Sequence, residues 1–274
     1  MRILGAAVAL ALVAGSSAPM RASSILYFVD KNFGTDQMDA ALATLPAGDT
    51  VTVATSPLDF ATKIAGGTYD LGIFSQQYYA DFANPYTNSN DFSTALTALE
   101  TFVAGGGKAI VDTWSPGSST YVSAFGADYT GNINGPAVNM SGFNSGVSNP
   151  VTVSNPPGYA TFSTGMSLDA TNGISIAGTF LDPGNASGTD GEAAVIIGDG
   201  GRSIVNGFLN DTAGAPGEQI YINEIDSLLA PACPPGPNGC APTPEPSYWV
   251  LLAAAMFGMI AYRRLRVRTF RRQG

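Results

Sequence analysis

The chain has 274 residues, with 12 basic and 21 acidic side chains, 33 glycines, two cysteines and no histidine. Without an imidazole, Ser-His-Asp and Cys-His arrangements have no general base, and a structural zinc site, which wants four Cys or His ligands, lacks its usual ligand set. A formal net charge of −9 makes nucleic acid a poor partner.

Met1-Arg2 is followed by an apolar stretch over residues 3–15 and then by Ser16-Ser17-Ala18-Pro19-Met20-Arg21-Ala22. That is the charged, apolar, small-residue layout of a secretory signal peptide. Cleavage after Ala22 is expected, since cleavage after Ala18 would put Pro19 next; a first β-strand is the alternative, but residues 25–29 fill that role better. Residues 23–230 then form an exported domain of ordinary single-domain length. Within it, Lys31, Lys63, Lys108 and Arg202 face twenty acidic residues, a net of −16. Such a surface disfavours nucleic acid and anionic lipid and allows divalent cations or cationic matrix components.

The first half of this body alternates short apolar strands with amphipathic helices. Residues 25–29 read as a strand. Thr35 can cap a helix whose face is Met38, Ala41, Leu42 and Leu45, spaced i, i+3, i+4, i+7, with Pro46 ending it. Residues 50–54 form the second strand. Ser56 caps the next helix with Pro57 in its first turn, and Gly66-Gly67 closes it. Residues 71–74 are the third strand. A helix beginning at Asp91 places Phe92, Leu96, Leu99 and Val103 on one face and ends at Gly105-Gly106-Gly107. Residues 108–112 are the fourth strand. Helices between strands imply right-handed crossovers and a parallel sheet covered on both faces.

From residue 115 to 191 the chain turns rich in Gly, Ser, Asn and Thr, with β-prone pieces at 137–140, 151–154 and 174–180; these predict loops and an antiparallel edge or insertion. Residues 192–197 and 202–208, joined by Gly198-Asp199-Gly200-Gly201, read as a hairpin. A last helix over 217–229 turns Ile220, Ile222, Ile225, Leu228 and Leu229 mainly inward. The predicted class is α/β, a mainly parallel sheet flanked by helices with a Gly/Ser/Asn-rich β insertion.

Three pieces of this layout are Tyr69-Asp70-Leu71-Gly72-Ile73-Phe74, Phe102-Val103-Ala104-Gly105-Gly106-Gly107-Lys108, and Gly201-Arg202-Ser203-Ile204-Val205-Asn206-Gly207-Phe208 before a closing helix. With them, residues 25–229 resemble the class I glutamine amidotransferase-like, or flavodoxin-like, fold. In the enzymes of that family the resemblance implies a cysteine on the turn after a central strand and a histidine further along. The matching turn falls near Asp112-Thr113-Trp114-Ser115, which has no cysteine, and the chain has no histidine. The resemblance therefore implies a body without that family's amide hydrolysis.

Other chemistry is thinly represented. Lys31, Lys63 and Lys108 read as ordinary surface or strand-start lysines rather than partners of a catalytic serine. The segment from Asp30 to Thr35 lies where anions bind, between a strand and a helix, but lacks a G-x-G-x-x-G pattern. Asp190 and Glu192 sit at alternate positions, as a carboxyl pair for glycan hydrolysis would, or simply as a solvated loop end. Asp182, Asn185, Asp190 and Glu192 miss the EF-hand spacing for calcium. No cofactor is expected. In an open parallel sheet ligands bind beyond the C-terminal strand ends, which places Asp30, Ser75, Gln76, Thr113, Trp114 and Ser115 on a candidate ligand rim. Trp114, Tyr78 and Tyr79 there can stack on a sugar ring; Tyr78 and Tyr79 can equally cover the sheet edge.

Residues 231–246 are dominated by Pro, Gly, Ala and Cys and form a linker. The sequence then runs Pro244-Glu245-Pro246, an apolar transmembrane helix over 247–262, and a basic tail over 263–274 with Arg263, Arg264, Arg266, Arg268, Arg271 and Arg272. Fifteen uncharged residues, 248–262, rise about 22 Å as a helix, short of a hydrocarbon core of roughly 30 Å. Snorkelling arginines extend the span at one end, and Tyr248 and Trp249 suit the opposite interface. The arginines belong on the cytoplasmic side, which places the body outside. An amphipathic or core helix is the alternative, against which stands a segment apolar all round. In order and type these three elements resemble the PEP-CTERM sorting signal of Gram-negative exosortase substrates. That resemblance implies removal of the signal by an exosortase-type membrane protease, so that the helix is a transient anchor and the body ends at the cell surface or outside the cell. Outside the inner membrane, Cys233 and Cys240 are expected to pair as a disulfide closing a small loop in the linker. Two functions fit: a non-catalytic surface or extracellular-matrix protein binding extracellular polysaccharide or other surface proteins, or a secreted glycan hydrolase using carboxylates at Asp30 or Asp190 and Glu192.

Overall fold

The computed structural model describes residues 22–32, 35–76, 89–113, 120–133, 137–153, 163–168, 174–181 and 192–230. The chain divides into Met1–Ala230 and Pro231–Gly274, and every described residue belongs to the first unit. The sorting motif, the apolar helix, the arginine tail, both cysteines and the signal peptide through Arg21 lie outside the described residues. Among the described residues no helix is long and apolar enough to cross a membrane.

The first half builds a parallel sheet from β1 (Ser24–Val29), β2 (Thr50–Val53), β3 (Leu71–Gln76) and β4 (Lys108–Thr113), connected by α1 (Gln37–Leu42), α2 (Pro57–Gly66) and α3 (Ser89–Ala104). The short helix α4 (Thr120–Ser123) leads into β5 (Ala127–Ile133), β6 (Ala137–Met140), β7 (Val151–Thr152), β8 (Ser163–Leu168) and β9 (Ser175–Leu181). The hairpin of β10 (Ala193–Gly198) and β11 (Ser203–Asn206) follows, then a 3-10 turn at Asn210–Thr212 and α5 (Ala215–Leu229).

These strands form one sheet in the order β2-β1-β3-β4-β11-β10-β9-β6-β7, with β8 also on β10 and β5 on β8. Pairing is parallel from β2 to β11 and antiparallel from β11 outward. The sheet is therefore mixed, not mainly parallel. The cause lies in the connections: the tight β10–β11 turn can join only antiparallel neighbours, whereas parallel pairing needs a long crossover. At that turn Asp199, Gly200 and Gly201 all take positive φ, and Gly201 and Arg202 both donate to the Gly198 carbonyl. The Gly/Ser-rich middle supplies five of the strands, including β5 and β8, which show no clear alternation in sequence.

Alternating side chains sort into two apolar layers. Ile25, Ile73, Ile110 and Ile204 face α1 and α5, against Met38, Leu42, Ile220 and Ile225. Leu26, Phe28, Phe74, Val111 and Val205 face α2 and α3, against Phe60, Ile64, Phe92, Leu96 and Leu99. Phe74 is ringed by Phe28, Phe60 and Phe92 at centroid separations of 5.0, 5.2 and 5.9 Å. Gly72 makes room for this layer, since a Cβ there would stand 2.7 Å from Leu99 Cδ1.

The caps follow local chemistry. Ser56 accepts from Asp59 N, with Pro57 opening α2. Asp36, rather than Thr35, caps α1: its carboxylate accepts from Asp39 N at 2.7 Å and also from the Tyr27 hydroxyl. A carboxylate that serves both the helix end and a buried phenol outcompetes a neighbouring threonine. Gly106, at φ 100°, ends α3, with Gly106 N and Gly107 N donating to the carbonyls of Val103 and Phe102. That is helix termination by a left-handed glycine.

Candidate functional site

Backbone pairing lines up Val29, Ser75, Asp112 and Asn206 as successive neighbours across β1, β3, β4 and β11. In a pleated sheet such partners point to the same face, here the α1/α5 face near the C-terminal strand ends. The polar members of this row are fully buried, or nearly so. Asp112 Oδ2 accepts from Ser75 Oγ at 2.9 Å and from the Tyr221 hydroxyl of α5. One turn along the same helix, Glu224 Oε2 accepts from Asn206 Nδ2 at 3.0 Å.

Around this row the acids continue. Asp211, beyond β11, accepts from Gln37 N at 3.2 Å, and Asp36 accepts from Tyr27 OH and Asn32 Nδ2. Asn210 Nδ2 donates to the Gly217 carbonyl of α5, and Gly217 is required there because a Cβ would stand 2.6 Å from Asn210 O. Burial pushes the Tyr221 hydroxyl well above its ordinary range, with the Asp112 carboxylate adding to it. Tyr27 is raised for the same reason, helped by Asp36, Asp211 and Asp112. Both phenols therefore stay protonated and act as donors. Glu224 is pushed from 4.5 to about 8, chiefly by burial and further by Asp112, with the Asn206 amide opposing.

Of the sequence-derived rim, Asp30, Ser75, Gln76 and Thr113 lie at the expected strand ends, yet only 8, 1, 2 and 2% of their surfaces are exposed. They do not form a single cluster. Ser75 faces α5, whereas Gln76 and Thr113, paired with each other, face the opposite side of the sheet. Asp30 is held by donation from its amide to the Ser75 carbonyl and from Lys31 N to its own carboxylate. Trp114, Ser115, Tyr78 and Tyr79 lie outside the described residues, as do Asp182, Asn185 and Asp190. Glu192 is exposed just ahead of β10. Lys63 pairs with Asp59, Lys108 donates to the Leu228 carbonyl at the end of α5, and Arg202 donates to the Asp199 carbonyl in the hairpin. Among the described residues no three Asp, Glu, Cys or His side chains are placed to hold a metal ion.

Sequence reasoning missed Asn206, Tyr221 and Glu224, and gave Asp112 no role of its own. A faint signal was present. Asp112 follows the apolar run 109–111 of β4 and Asn206 the apolar pair Ile204 and Val205 of β11, and Glu224 falls on the inward stripe of Ile220, Tyr221, Ile225 and Leu228.

No protein-family model matches the sequence, and no curated protein matches it either. Among solved structures the chain is similar to a glutamine amidotransferase from Thermotoga maritima, with TM-score 0.51 and 9% identity over 76% of this chain and 99% of that one. Weaker likenesses are to the protein SMU.1228c, at TM-score 0.48 and 10% identity over 75% of this chain and 99% of that one, and to an exo-β-1,4-mannosidase from an Opitutaceae bacterium, at TM-score 0.41 and 10% identity over 76% of this chain and 35% of the mannosidase. The body has an α/β, amidotransferase-like fold. At such identities the likeness concerns fold, not chemistry.

Proposed function

We propose that this chain is an exported surface or extracellular-matrix protein whose amidotransferase-like domain is a binding module without amidotransferase activity. An exosortase-type membrane protease releases it from a transient C-terminal anchor. The observation that carries the non-catalytic reading is the end of β4. Near the turn where the family presents a nucleophile the sequence reads Asp112-Thr113-Trp114-Ser115, without cysteine, and Asp112, still inside β4, is tied into the interior by Ser75 and Tyr221. Residues 23–230 contain neither cysteine nor histidine, so no thiolate–imidazole pair can form. The export reading is supported by the sequence at both ends: the signal-peptide layout, and Pro244-Glu245-Pro246 followed by an apolar segment and six arginines. Polysaccharide or other surface proteins suit a polar exterior with a net charge of −16 better than nucleic acid does.

The test is fractionation of cells producing the full chain, with an epitope inserted in the Gly198–Gly201 turn, in the presence and absence of an exosortase. The expected outcome is a shortened protein outside the inner membrane only when the protease is present. A full-length protein held in the inner membrane in both strains refutes the sorting reading. Release of ammonia from glutamine by the purified protein refutes the non-catalytic one.

A further inference from the structure

The contact between α5 and β11 contains two side chains whose hydrogen bonding is half complete. Asn206 and Glu224 are both fully buried, and Asn206 Nδ2 donates to Glu224 Oε2 at 3.0 Å. The other oxygen of each residue, Asn206 Oδ1 and Glu224 Oε1, is also buried and has no hydrogen-bond partner among the described residues. An ionised carboxylate is acceptor-only and can satisfy neither oxygen, whereas a protonated one carries a donor. A proton on Glu224 Oε1 gives a donor, and Asn206 Oδ1, on the residue already bonded to Oε2, is an acceptor that lacks one. Both orphans are then resolved by one proton, in a closed acid–amide ring.

The surroundings point the same way. The titratable groups that interact with Glu224 are Asp112 on β4 and Tyr221 on α5 itself; Asp211 beyond β11 faces Tyr221 and Tyr27, and Asp36 ahead of α1 faces Tyr27 on β1. All are carboxyls or phenols. The lysine that touches α5, Lys108, donates to the Leu228 carbonyl at the helix end, a full turn away from Glu224.

We infer that Glu224 is a neutral carboxylic acid in the folded protein, bonded at two points to Asn206, and that this pair is an alkali-sensitive latch holding α5 on the sheet. The direction of its titration agrees: burial and Asp112 raise its pKa from 4.5 to about 8. The sign follows from linkage. Below about pH 4.5 Glu224 is protonated in both folded and unfolded chains, and its contribution is fully present. Between 4.5 and 8 only the unfolded chain loses the proton, so the folding equilibrium constant falls about ten-fold per pH unit on this account. Above 8 both states are ionised, and the loss, about three thousand-fold across the window, is complete.

The test compares denaturant unfolding of the full chain and its Glu224→Gln variant in detergent from pH 5 to pH 9. Glutamine can keep both bonds, with its amide donating to Asn206 Oδ1 and its carbonyl accepting from Nδ2, but it cannot titrate. The ratio of folding constants, variant over parent, should grow about ten-fold per unit from pH 5 and level off near pH 8. A ratio independent of pH overturns the latch. Should the variant fail to fold, infrared spectroscopy of the parent decides. A protonated-carboxyl carbonyl band at pH 6, absent at pH 9.5, supports the inference, and a spectrum with no such band at pH 6 overturns it.

Discussion

Replacing Tyr221 by Phe tests whether the rim is held from inside. Tyr221 is fully buried, and its hydroxyl donates to Asp112 Oδ2, the oxygen that also accepts from Ser75 Oγ at 2.9 Å. The substitution removes one oxygen and leaves the ring in its packing against α1 and the sheet. Its cost is thus dominated by one hydrogen bond to a buried carboxyl, about 1.5–3 kcal/mol for a charged partner. A loss of about 2 kcal/mol lowers the folding constant roughly thirty-fold. Guanidinium unfolding should show a lower midpoint at unchanged slope, because no surface is newly exposed. Ser75→Ala removes the second donor to the same oxygen, and the double variant should cost more than the two singles added. Both hydroxyls serve one oxygen, so the two substitutions are not independent; coupling of about 0.5–3 kcal/mol is expected for such neighbours. A Tyr221→Phe protein within about 0.5 kcal/mol of the parent, the ordinary range for surface changes, or a cycle that adds without coupling, refutes Asp112 as the hub of the buried polar row.

Two further substitutions probe the scaffold. Phe74→Ala opens a cavity between Phe28, Phe60 and Phe92 and should cost about 3–5 kcal/mol by thermal or chemical unfolding; a cost under about 1 kcal/mol would mean that this aromatic layer is not packed as described. Gly198→Ala brings a Cβ to 2.2 Å from the Phe125 carbonyl oxygen. Backbone cannot rotate away as a side chain can, so a loss of at least about 1–3 kcal/mol is expected, read as a lowered midpoint, and an unchanged midpoint counts against the close approach of β10 to the turn between α4 and β5.

The parallel half of the fold was legible because its signals are local. Ser56-Pro57 and Gly66-Gly67 bracket α2, and Phe92, Leu96, Leu99 and Val103 mark one stripe of α3. The position of the α1 cap was not. Thr35 and Asp36 are both competent caps, and the choice between them depends on Tyr27, nine residues earlier in β1. β5 and β8 were hidden by composition: a strand reading Ala-Asp-Tyr-Thr-Gly-Asn-Ile gives no period-two pattern, and its pairing with β8 is fixed only by tertiary contact. The buried polar row was hidden for the same reason. Asp112 and Asn206 lie 94 residues apart in sequence and become neighbours through the β4–β11 register. Glu224 was concealed by its type, since a glutamate on a helix is read as solvated until the whole stripe around it is seen to face inward.

Apolar layering and rim chemistry are separable in this fold. The layers depend on Phe28, Phe60, Phe74 and Phe92 on one face and on Ile25, Ile73, Ile110 and Ile220 on the other, and none of these needs a particular residue on the turn after β4. That turn is free to carry a nucleophile or to omit one without loss of the sheet. Here the strand ends carry Ser75, Asp112 and Asn206, and α5 answers them with Tyr221 and Glu224, so polar groups at the ligand end of the sheet bond to one another across the helix–sheet contact. Groups paired inside the protein are not available to a substrate. On the proposed reading, recognition therefore falls to the acidic exterior, and substitutions at Asp112 or Glu224 should alter stability before they alter binding.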